Sequence, residues 1–264
     1  MSRISFFEKN KCDFSDSNVT ATASQGAAYA IRALNRSNMN AWITTGSEDA
    51  DNTTFTVTLA DPRKVSKIFL LKHNFKNYVV EYHNGTTWAA FSPAISETND
   101  TKDSSVFDVT EVEAHGFRIT IYGTQIPDSE KFLYQFIATR PIGILGQQPK
   151  IANFVRSRNA SVTRMISGKY SVRENVGNVQ FDLDPAVWYD AGDLTIIEQL
   201  YRQYEGFLVW LCGGDESQFG QEREGYRIED IYLMKCRNEI QPDWNQGLFG
   251  AGLKFKVQLA EVVD

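Results

Sequence analysis

The sequence predicts a mainly β protein with two regions, a β-sandwich or barrel followed by an α+β unit. In the N-terminal region, apolar and polar residues alternate in many short runs, which is the period of a strand with one buried face. Asn84-Gly85 separates two of these runs, and both residues tolerate the positive φ of a primed hairpin turn. In the C-terminal region a single segment, 193–204, has the spacing of an amphipathic helix.

Each strand of the N-terminal region is predicted from its own pattern. Phe55-Thr-Val-Thr-Leu59 alternates strictly, and Asp61-Pro62 predicts a turn before the next apolar run. No convincing amphipathic helix pattern interrupts the series, which is typical of a sandwich or barrel. The predicted strands are 18–24, 55–59, 65–71, 78–82, 87–91, 106–109, 116–122 and 132–138.

A connector separates the two regions. Residues 139–149 contain two prolines and two glycines, a composition that favours an extended link. The predicted domains are therefore 1–140 and 153–264, with a linker at 141–152. In the second domain we predict strands at 160–166, 178–183, 207–211, 226–234 and 253–259.

The single helix of the second domain has both end signals. Asp193 is predicted to cap its N-terminus and Gly206 to stop it. Leu194, Ile197 and Leu200 recur at spacings of three and four, so they are expected to face the core. Tyr201 and Tyr204 extend the same face.

Composition excludes several classes of protein. The 264 residues are 42% hydrophobic and 23% charged, a globular profile. The first 150 residues carry 15 basic and 16 acidic side chains, net −1, and the remainder 12 and 17, net −5. Neither region has the basic excess of a nucleic-acid clamp or a binder of anionic membranes. No apolar run is long enough to span a bilayer, so no membrane insertion is expected.

The cysteines and the N-terminal residues indicate the compartment. The three cysteines, Cys12, Cys212 and Cys236, are odd in number and far apart, which favours free thiols over a disulfide framework. Whether Cys212 and Cys236 meet across two strands stays open. The first residues lack the apolar core of a secretory signal, so we expect assembly in the cytoplasm.

The search for catalytic chemistry predicts that the chain is not an enzyme. His83 and His115 are assigned to turns without partners at metal-ligand spacing, so no metal site and no cofactor are predicted. The C-terminal region has no histidine, and neither region has a GxSxG motif for a nucleophile. His73 and its neighbour Asn74, just past a strand, are kept as ligand-binding candidates.

The stretch Asn35-Arg-Ser-Asn-Met-Asn-Ala-Trp-Ile-Thr-Thr-Gly46 supplies two more candidates, Asn38 and Trp42. An exposed Asn-rich loop ending in an aromatic residue suits ligand binding. In a sandwich, Trp42 is instead expected to turn inward, where its indole N–H needs a carbonyl or Thr44 as partner. Binding would then depend on Asn38 and its neighbours.

Residues 18–140 resemble the discoidin, or coagulation-factor C-type, family. The matching motifs, in order, are Asn18-Val-Thr-Ala-Thr-Ala-Ser24, Ala41-Trp42-Ile-Thr44, Tyr78-Val-Val-Glu-Tyr82 with Trp88, and Gly116-Phe-Arg-Ile-Thr-Ile121. The resemblance implies a galactose-binding-like jelly-roll sandwich whose loops at one end bind glycans, lipids or proteins. The family's acidic calcium positions are occupied by Arg32-Ala33 and Gln135, so calcium binding is not expected.

The order of strands around the helix at 193–206 resembles the tail-tube and distal-tail proteins of bacteriophages. This resemblance implies a β-sandwich with a flanking helix that forms a homo-oligomeric ring. The predicted function is therefore a non-enzymatic structural component of a phage-like virion, in its tail or baseplate. Its partners would be other tail or baseplate proteins and a host-surface glycan. The alternative is a glycan-binding module with an accessory β domain.

Overall fold

The structure, a computed structural model, describes most of the first half of the chain and shorter segments of the second. The described residues are 4–35, 40–44, 51–145, 150–156, 159–164, 170–175, 179–184, 191–203, 205–211, 228–237, 243–245, 252–254 and 257–262.

The prediction of a mainly β protein is confirmed. The described residues contain one α-helix, α1 (Ala191–Arg202), and one 3₁₀ helix (Ala27–Leu34). The strands are Ser5–Glu8 (β1), Val19–Ala23 (β2), Trp42–Ile43 (β3), Thr53–His73 (β4), Phe75–His83 (β5), Trp88–Glu97 (β6), Ser105–Thr124 (β7), Phe132–Thr139 (β8), Pro141–Ile144 (β9), Lys150–Arg156 (β10), Asn159–Arg164 (β11), Tyr170–Asn175 (β12), Val179–Asp184 (β13), Phe207–Trp210 (β14), Ile231–Cys236 (β15), Asp243–Asn245 (β16), Gly252–Lys254 (β17) and Val257–Glu261 (β18).

Residues 9–141 form one compact unit, a sandwich built from a single folded-over sheet. Strands β4 and β7 pair along most of their length, with register shifts between Thr58 and Arg63 and between Val65 and Lys67. Each strand therefore contributes one half to each layer. The first half of β4 and the last half of β7 join β2, β5 and β6, and the other halves lie beside β3 and β8.

Two predicted turns lie inside these long strands. Asp61-Pro62 falls within β4 at a register shift, where a proline without an N–H costs no ladder hydrogen bond. His115, predicted to lie in a turn at 113–116, lies within β7. The sequence signals mark the bend of a continuous strand rather than its end.

Aromatic side chains fill the space between the layers. Trp42, Phe55, Phe75, Phe117 and Phe136 are each fully buried. Their rings meet in a series: Trp42 with Phe55 at 5.1 Å between centroids, and Phe117 with Phe136 at 5.5 Å. These contacts hold both layers to a common core.

The ends of the sandwich unit lie close together in space. Lys11 donates its backbone N–H to Ala138 at 2.8 Å. The buried Asn10 side chain donates to the carbonyl of Phe136 at 3.1 Å and accepts from the N–H of Ala138 at 3.0 Å. One amide thus continues the hydrogen bonding along the edge of β8.

The other unit comprises the described residues before Lys9 and after Pro141. Its seven-stranded sheet has the order β10-β13-β18-β15-β14-β1-β9. The predicted boundaries differ from this arrangement in two places. Strand β1 belongs to this sheet because Ser5–Glu8 pairs antiparallel with β14, and the predicted linker contains β9 and the start of β10.

Helix α1 covers the core of this sheet with the predicted face, of which Tyr204 lies outside the described residues. Ile197 and Leu200 are 1% exposed, and Leu194 packs against the same cluster. The helix begins at Ala191, so Asp193 lies in the first turn rather than at the cap. A carboxylate there still interacts favourably with the positive end of the helix dipole. Gly206 follows the helix with φ +103, as a chain reversal requires.

Cys12 and Cys236 are free thiols, and Cys212 lies outside the described residues. Burial raises the pKa of the Cys12 thiol and raises the pKa of Cys236 to about 12. Both are therefore protonated and unreactive at neutral pH. Among the described residues, no helix is long and apolar enough to cross a membrane.

Candidate functional site

Several loops meet at the end of the sandwich where β5 and β8 begin. This loop end comprises residues 24–32, 43–44, 73–77, 99–104 and 125–131. Backbone hydrogen bonds join its segments: His73 donates to Asp103 at 2.7 Å, Gln125 to Asn74 at 2.9 Å, and Thr44 to Lys131 at 3.0 Å. The loops are thereby fixed to one another as well as to their strands.

Asn74, a predicted ligand-binding residue, is the main clamp of the loop end. It is 8% exposed, and its side-chain amide donates to the carbonyl of Glu130 at 2.7 Å and to Ser129 Oγ at 3.3 Å. Its side-chain oxygen accepts from the N–H of Phe132 at 3.0 Å. The structure thus places Asn74 between two loops, where it orders backbone.

Gln125 and Lys131 extend this bracing to the neighbouring loops. The Gln125 side chain donates to the carbonyl of Lys102 at 2.8 Å and to that of Phe75 at 3.4 Å. The ammonium group of Lys131 donates to the carbonyl of Asp51 at 2.8 Å. Because each long side chain is fixed by backbone groups, the loops do not have to be ordered by a ligand.

His73, another predicted ligand-binding residue, is 1% exposed and belongs to a buried polar chain. Its Nδ1 accepts from the N–H of Phe75 at 3.2 Å, and its Nε2 lies 3.1 Å from Ser105 Oγ. Ser105 and Tyr78 both donate to Oδ2 of Asp100, at 3.1 and 2.9 Å. Histidine, serine and aspartate are therefore in contact, although they are far apart in sequence.

The direction of these hydrogen bonds excludes a nucleophile–base pair. Burial lowers the pKa of His73 to about 4, so its ring is neutral at neutral pH. Since Nδ1 is an acceptor, the proton is on Nε2 and is donated to Ser105, whose own proton goes to Asp100. His73 therefore cannot take a proton from Ser105, as serine activation requires. Burial also raises the pKa of Tyr78, which remains a hydrogen-bond donor.

Trp42 is fully buried, as expected if it turns inward. Its indole N–H donates to the backbone carbonyl of Gln25 at 3.1 Å. Gly26 follows at φ +65, and a Cβ there would lie 2.3 Å from the carbonyl oxygen of Ile43. Only glycine permits this close approach. Asn38, the remaining predicted ligand-binding residue, lies outside the described residues.

The side chains that are exposed to solvent at the loop end are not the ones predicted to bind a ligand. Ile126 is 70% exposed, Tyr29 43% and Ile43 39%. Arg32 is exposed and its guanidinium carbon lies 4.2 Å from the centre of the Tyr29 ring. Gln25 Oε1 is shielded from solvent and has no hydrogen-bond partner among the described residues. No sequence signal marks these residues, because exposure and an unsatisfied oxygen arise only from the fold.

A second polar and aromatic cluster, which the sequence analysis missed, lies on the outer face of β5–β7. This Trp88 cluster contains Glu81, His83, Trp88, His115 and Arg118. Glu81 Oε2 accepts from Arg118 Nε at 2.9 Å and from its terminal nitrogen at 2.7 Å. Arg118 in turn covers Trp88 at 4.6 Å, and His83 meets the indole at 5.2 Å. Part of the indole surface is therefore covered by the protein's own side chains.

Neither region forms a metal centre from described residues. No group of three or more histidine, cysteine, aspartate or glutamate side chains in the described segments could hold a metal ion. His83 and His115 lie 6.4 Å apart between ring centroids, but no third ligand joins them in those segments. At the positions where the resemblance places calcium ligands, Arg32 is exposed and Gln135 is buried.

Comparison with known proteins gives similarity to solved structures alone. No family model matches the chain, and no curated protein matches it. Chitosan-binding module 1 of a chitosanase/glucanase from Paenibacillus sp. IK-5 is 23% identical, with a TM-score of 0.42, over 50% of this chain and 98% of the module.

Two further solved structures are complexes with sugars. A CBM32 module of Clostridium perfringens in complex with GalNAc-β-1,3-galactose is 15% identical, with a TM-score of 0.38, over 46% of this chain and 94% of that one. Chitosan-binding module 2 of the Paenibacillus enzyme, in complex with chitotriose, is 14% identical, with a TM-score of 0.40, over 46% and 95%.

Proposed function

We propose that the sandwich unit is a non-catalytic carbohydrate-binding module and that its loop end is the binding surface. The proposal assigns to this chain the class of ligand named for the solved modules described above. It agrees with the alternative function predicted from the sequence, a glycan-binding module. The observation that supports it is the loop end itself, in which buried side chains brace several loops while other side chains remain open to solvent.

Rigidity and chemistry both suit a sugar ligand. Asn74 and Gln125 fix the loops before any ligand arrives, so binding does not incur the entropy of ordering them. Exposed Ile126 and Ile43 offer apolar contacts for the C–H faces of a sugar ring. The exposed side chains of Lys102, Asp103 and Asp128, in the same loops, offer hydrogen-bond donors and acceptors. The hydrogen bonds of His73 do not activate Ser105, which supports a role in binding rather than in catalysis.

A glycan array with the full-length chain tests this function. We expect retained glycans that are released when Ile126→Asp places a charge on the surface. Asn84→Asp, at the exposed hairpin turn, is the matched control and should bind as the unaltered chain does. An array without hits, with and without added calcium, would overturn the proposal.

We propose a second function for the other unit, assembly into a homo-oligomeric ring of a phage-like virion. The observation that favours it is that the first and last strands of its described sheet each carry an exposed aliphatic side chain. Val155 on β10 is 53% exposed and Ile144 on β9 is 45% exposed. Unpaired sheet edges of this kind are templates for another strand.

Light scattering and negative-stain microscopy test the assembly. We expect rings or concentration-dependent association that Val155→Lys weakens, with Lys64→Gln on the sandwich as control. A strictly monomeric chain at high concentration that does not associate with tail proteins would refute this second proposal.

A further inference from the structure

One corner of the loop end has features that the proposed function does not use. Gln25, Tyr29, Arg32 and Ile43 lie where β2 leads into the 3₁₀ helix and where β3 passes Gly26. Two observations there, one on a cation that lies over an aromatic ring and one on an oxygen, are independent of each other.

The cation is Arg32. Its guanidinium group lies 4.2 Å from the ring centre of Tyr29, and it forms no ion pair with any carboxylate of the described residues. Elsewhere in the same unit, buried or half-buried arginines are paired: Arg63 with Asp16, and Arg118 with Glu81. Arg32 is thus oriented by a ring while all of its N–H donors stay available. A planar fork of this kind suits a carboxylate.

The oxygen is Gln25 Oε1, which is shielded from solvent and accepts no hydrogen bond from the part of the chain that the structure describes. A buried acceptor without a donor costs free energy, and native proteins rarely retain one without a reason. A hydroxyl group brought by a ligand would supply the missing donor once the Gln25 side chain, which is half-buried as a whole, turns this oxygen outward. The backbone at this point is fixed, because the carbonyl of Gln25 accepts from Trp42 and Gly26 is held against Ile43.

We propose that Gln25, Tyr29 and Arg32 form a subsite for a sugar that carries a carboxylate, such as a uronic acid. Arg32 binds the carboxylate, Gln25 Oε1 accepts from a ring hydroxyl, and Ile43 contacts the C–H face of the sugar. This inference rests on the proposed carbohydrate-binding function and names its ligand class.

Calorimetry with matched sugars tests the subsite. We expect the full-length chain to bind a glucuronate-terminated oligosaccharide at least about tenfold more tightly than its glucose-terminated counterpart, the factor that one charge-assisted hydrogen bond can contribute. Arg32→Gln should abolish this preference and leave the affinity for the neutral sugar unchanged. Lys64→Gln, which removes one exposed charge from the sandwich outside the loop end, should retain it.

A second variant separates binding from folding. Gln25→Met removes the unsatisfied oxygen with little change of shape, so the melting temperature should stay the same or rise. Affinity for both sugars should fall by several-fold, because both carry the hydroxyl.

The outcomes distinguish the two proposals. Equal affinity for the acidic and neutral sugars, a preference that survives Arg32→Gln, or tighter binding of a cationic glucosamine oligomer would overturn the subsite but keep the glycan-binding function. Failure to bind any sugar would overturn both.

Discussion

The loop end and the Trp88 cluster contain similar side chains, an arginine over an aromatic ring in each. They differ in whether the arginine also binds a carboxylate of the described residues. In the Trp88 cluster, Arg118 is bound by Glu81 and lies over the indole, so cation, carboxylate and aromatic ring satisfy one another. At the loop end, Arg32 lies over Tyr29 without a carboxylate among the described residues. The proposal of a binding surface at the loop end, and not at the Trp88 cluster, therefore rests on the interactions that Arg32 does not make with the described residues.

The largest expected effect tests whether the loop end depends on the buried indole of Trp42. Trp42→Ala should lower the free energy of unfolding by about 3–5 kcal/mol, since a fully buried indole is replaced by a cavity. Chemical denaturation measures this. Trp42→Phe keeps most of the packing and loses only the hydrogen bond to Gln25, so it should cost about 1 kcal/mol. Equal losses for both variants would contradict this account.

Acid should destabilise the loop end through His73. The pKa of His73 is about 4 in the folded chain, below the usual value of 6.5, because burial disfavours its charged form. The unfolded chain therefore binds a proton first, and stability falls as pH decreases from about 6.5 to 4, by about 3 kcal/mol in total. Denaturation curves across this range should show the slope.

Two variants test whether His73 causes this dependence of stability on pH. His73→Gln should remove it, whereas His83→Gln, at the half-buried end of β5, should retain it. A slope of the same size in His73→Gln would place its origin elsewhere.

Asn74→Ala should loosen the loop end specifically. It leaves the N–H of Phe132 and the carbonyl of Glu130 without their partners, which should cost about 1–3 kcal/mol. Hydrogen exchange should rise at 125–132 and remain unchanged at the 84–87 hairpin. Uniform changes over the sandwich would mean that Asn74 supports the whole fold and not these loops.

The smallest expected effect tests whether the Trp88 cluster takes part in glycan binding. Trp88→Ala should cost about 1 kcal/mol of stability through the lost contact with Arg118, and it should leave glycan affinity within about twofold. A glycan array comparing this variant with the unaltered chain measures the second quantity. Loss of binding would make the Trp88 cluster the site.

Local signals predicted the elements that depend on local chemistry. The hairpin at Asn84-Gly85 is confirmed, with His83 opposite Trp88, but Gly85 has a positive φ (+96) and Asn84 does not, so the connection 84–87 is not the two-residue primed turn predicted. The helix face through Ile197 and Leu200 is also confirmed. Both follow from spacing and turn residues that a single segment contains.

Features that depend on which strands pair, and in which register, could not be predicted from the sequence. The pairing of β1 with β14 joins residues some two hundred positions apart, and no local pattern specifies it. The contact of His83 with His115 follows from the register that sets His83 opposite Gly116. Asn74 and His73 lie at the loop end, but composition could not show that they face inward.

The pairing of β1 has a topological consequence. Strands β1 and β9 are neighbours in one sheet, yet the whole sandwich unit, residues 9–141, is encoded between them. In effect, a complete second domain occupies the place of a connecting loop, and the contact of Lys11 with Ala138 closes its stem. Residues 9–141 should therefore be removable as a cassette, with a short linker joining Glu8 to Ile142. A cut at residue 140, in contrast, would separate the remaining sheet from one of its internal strands.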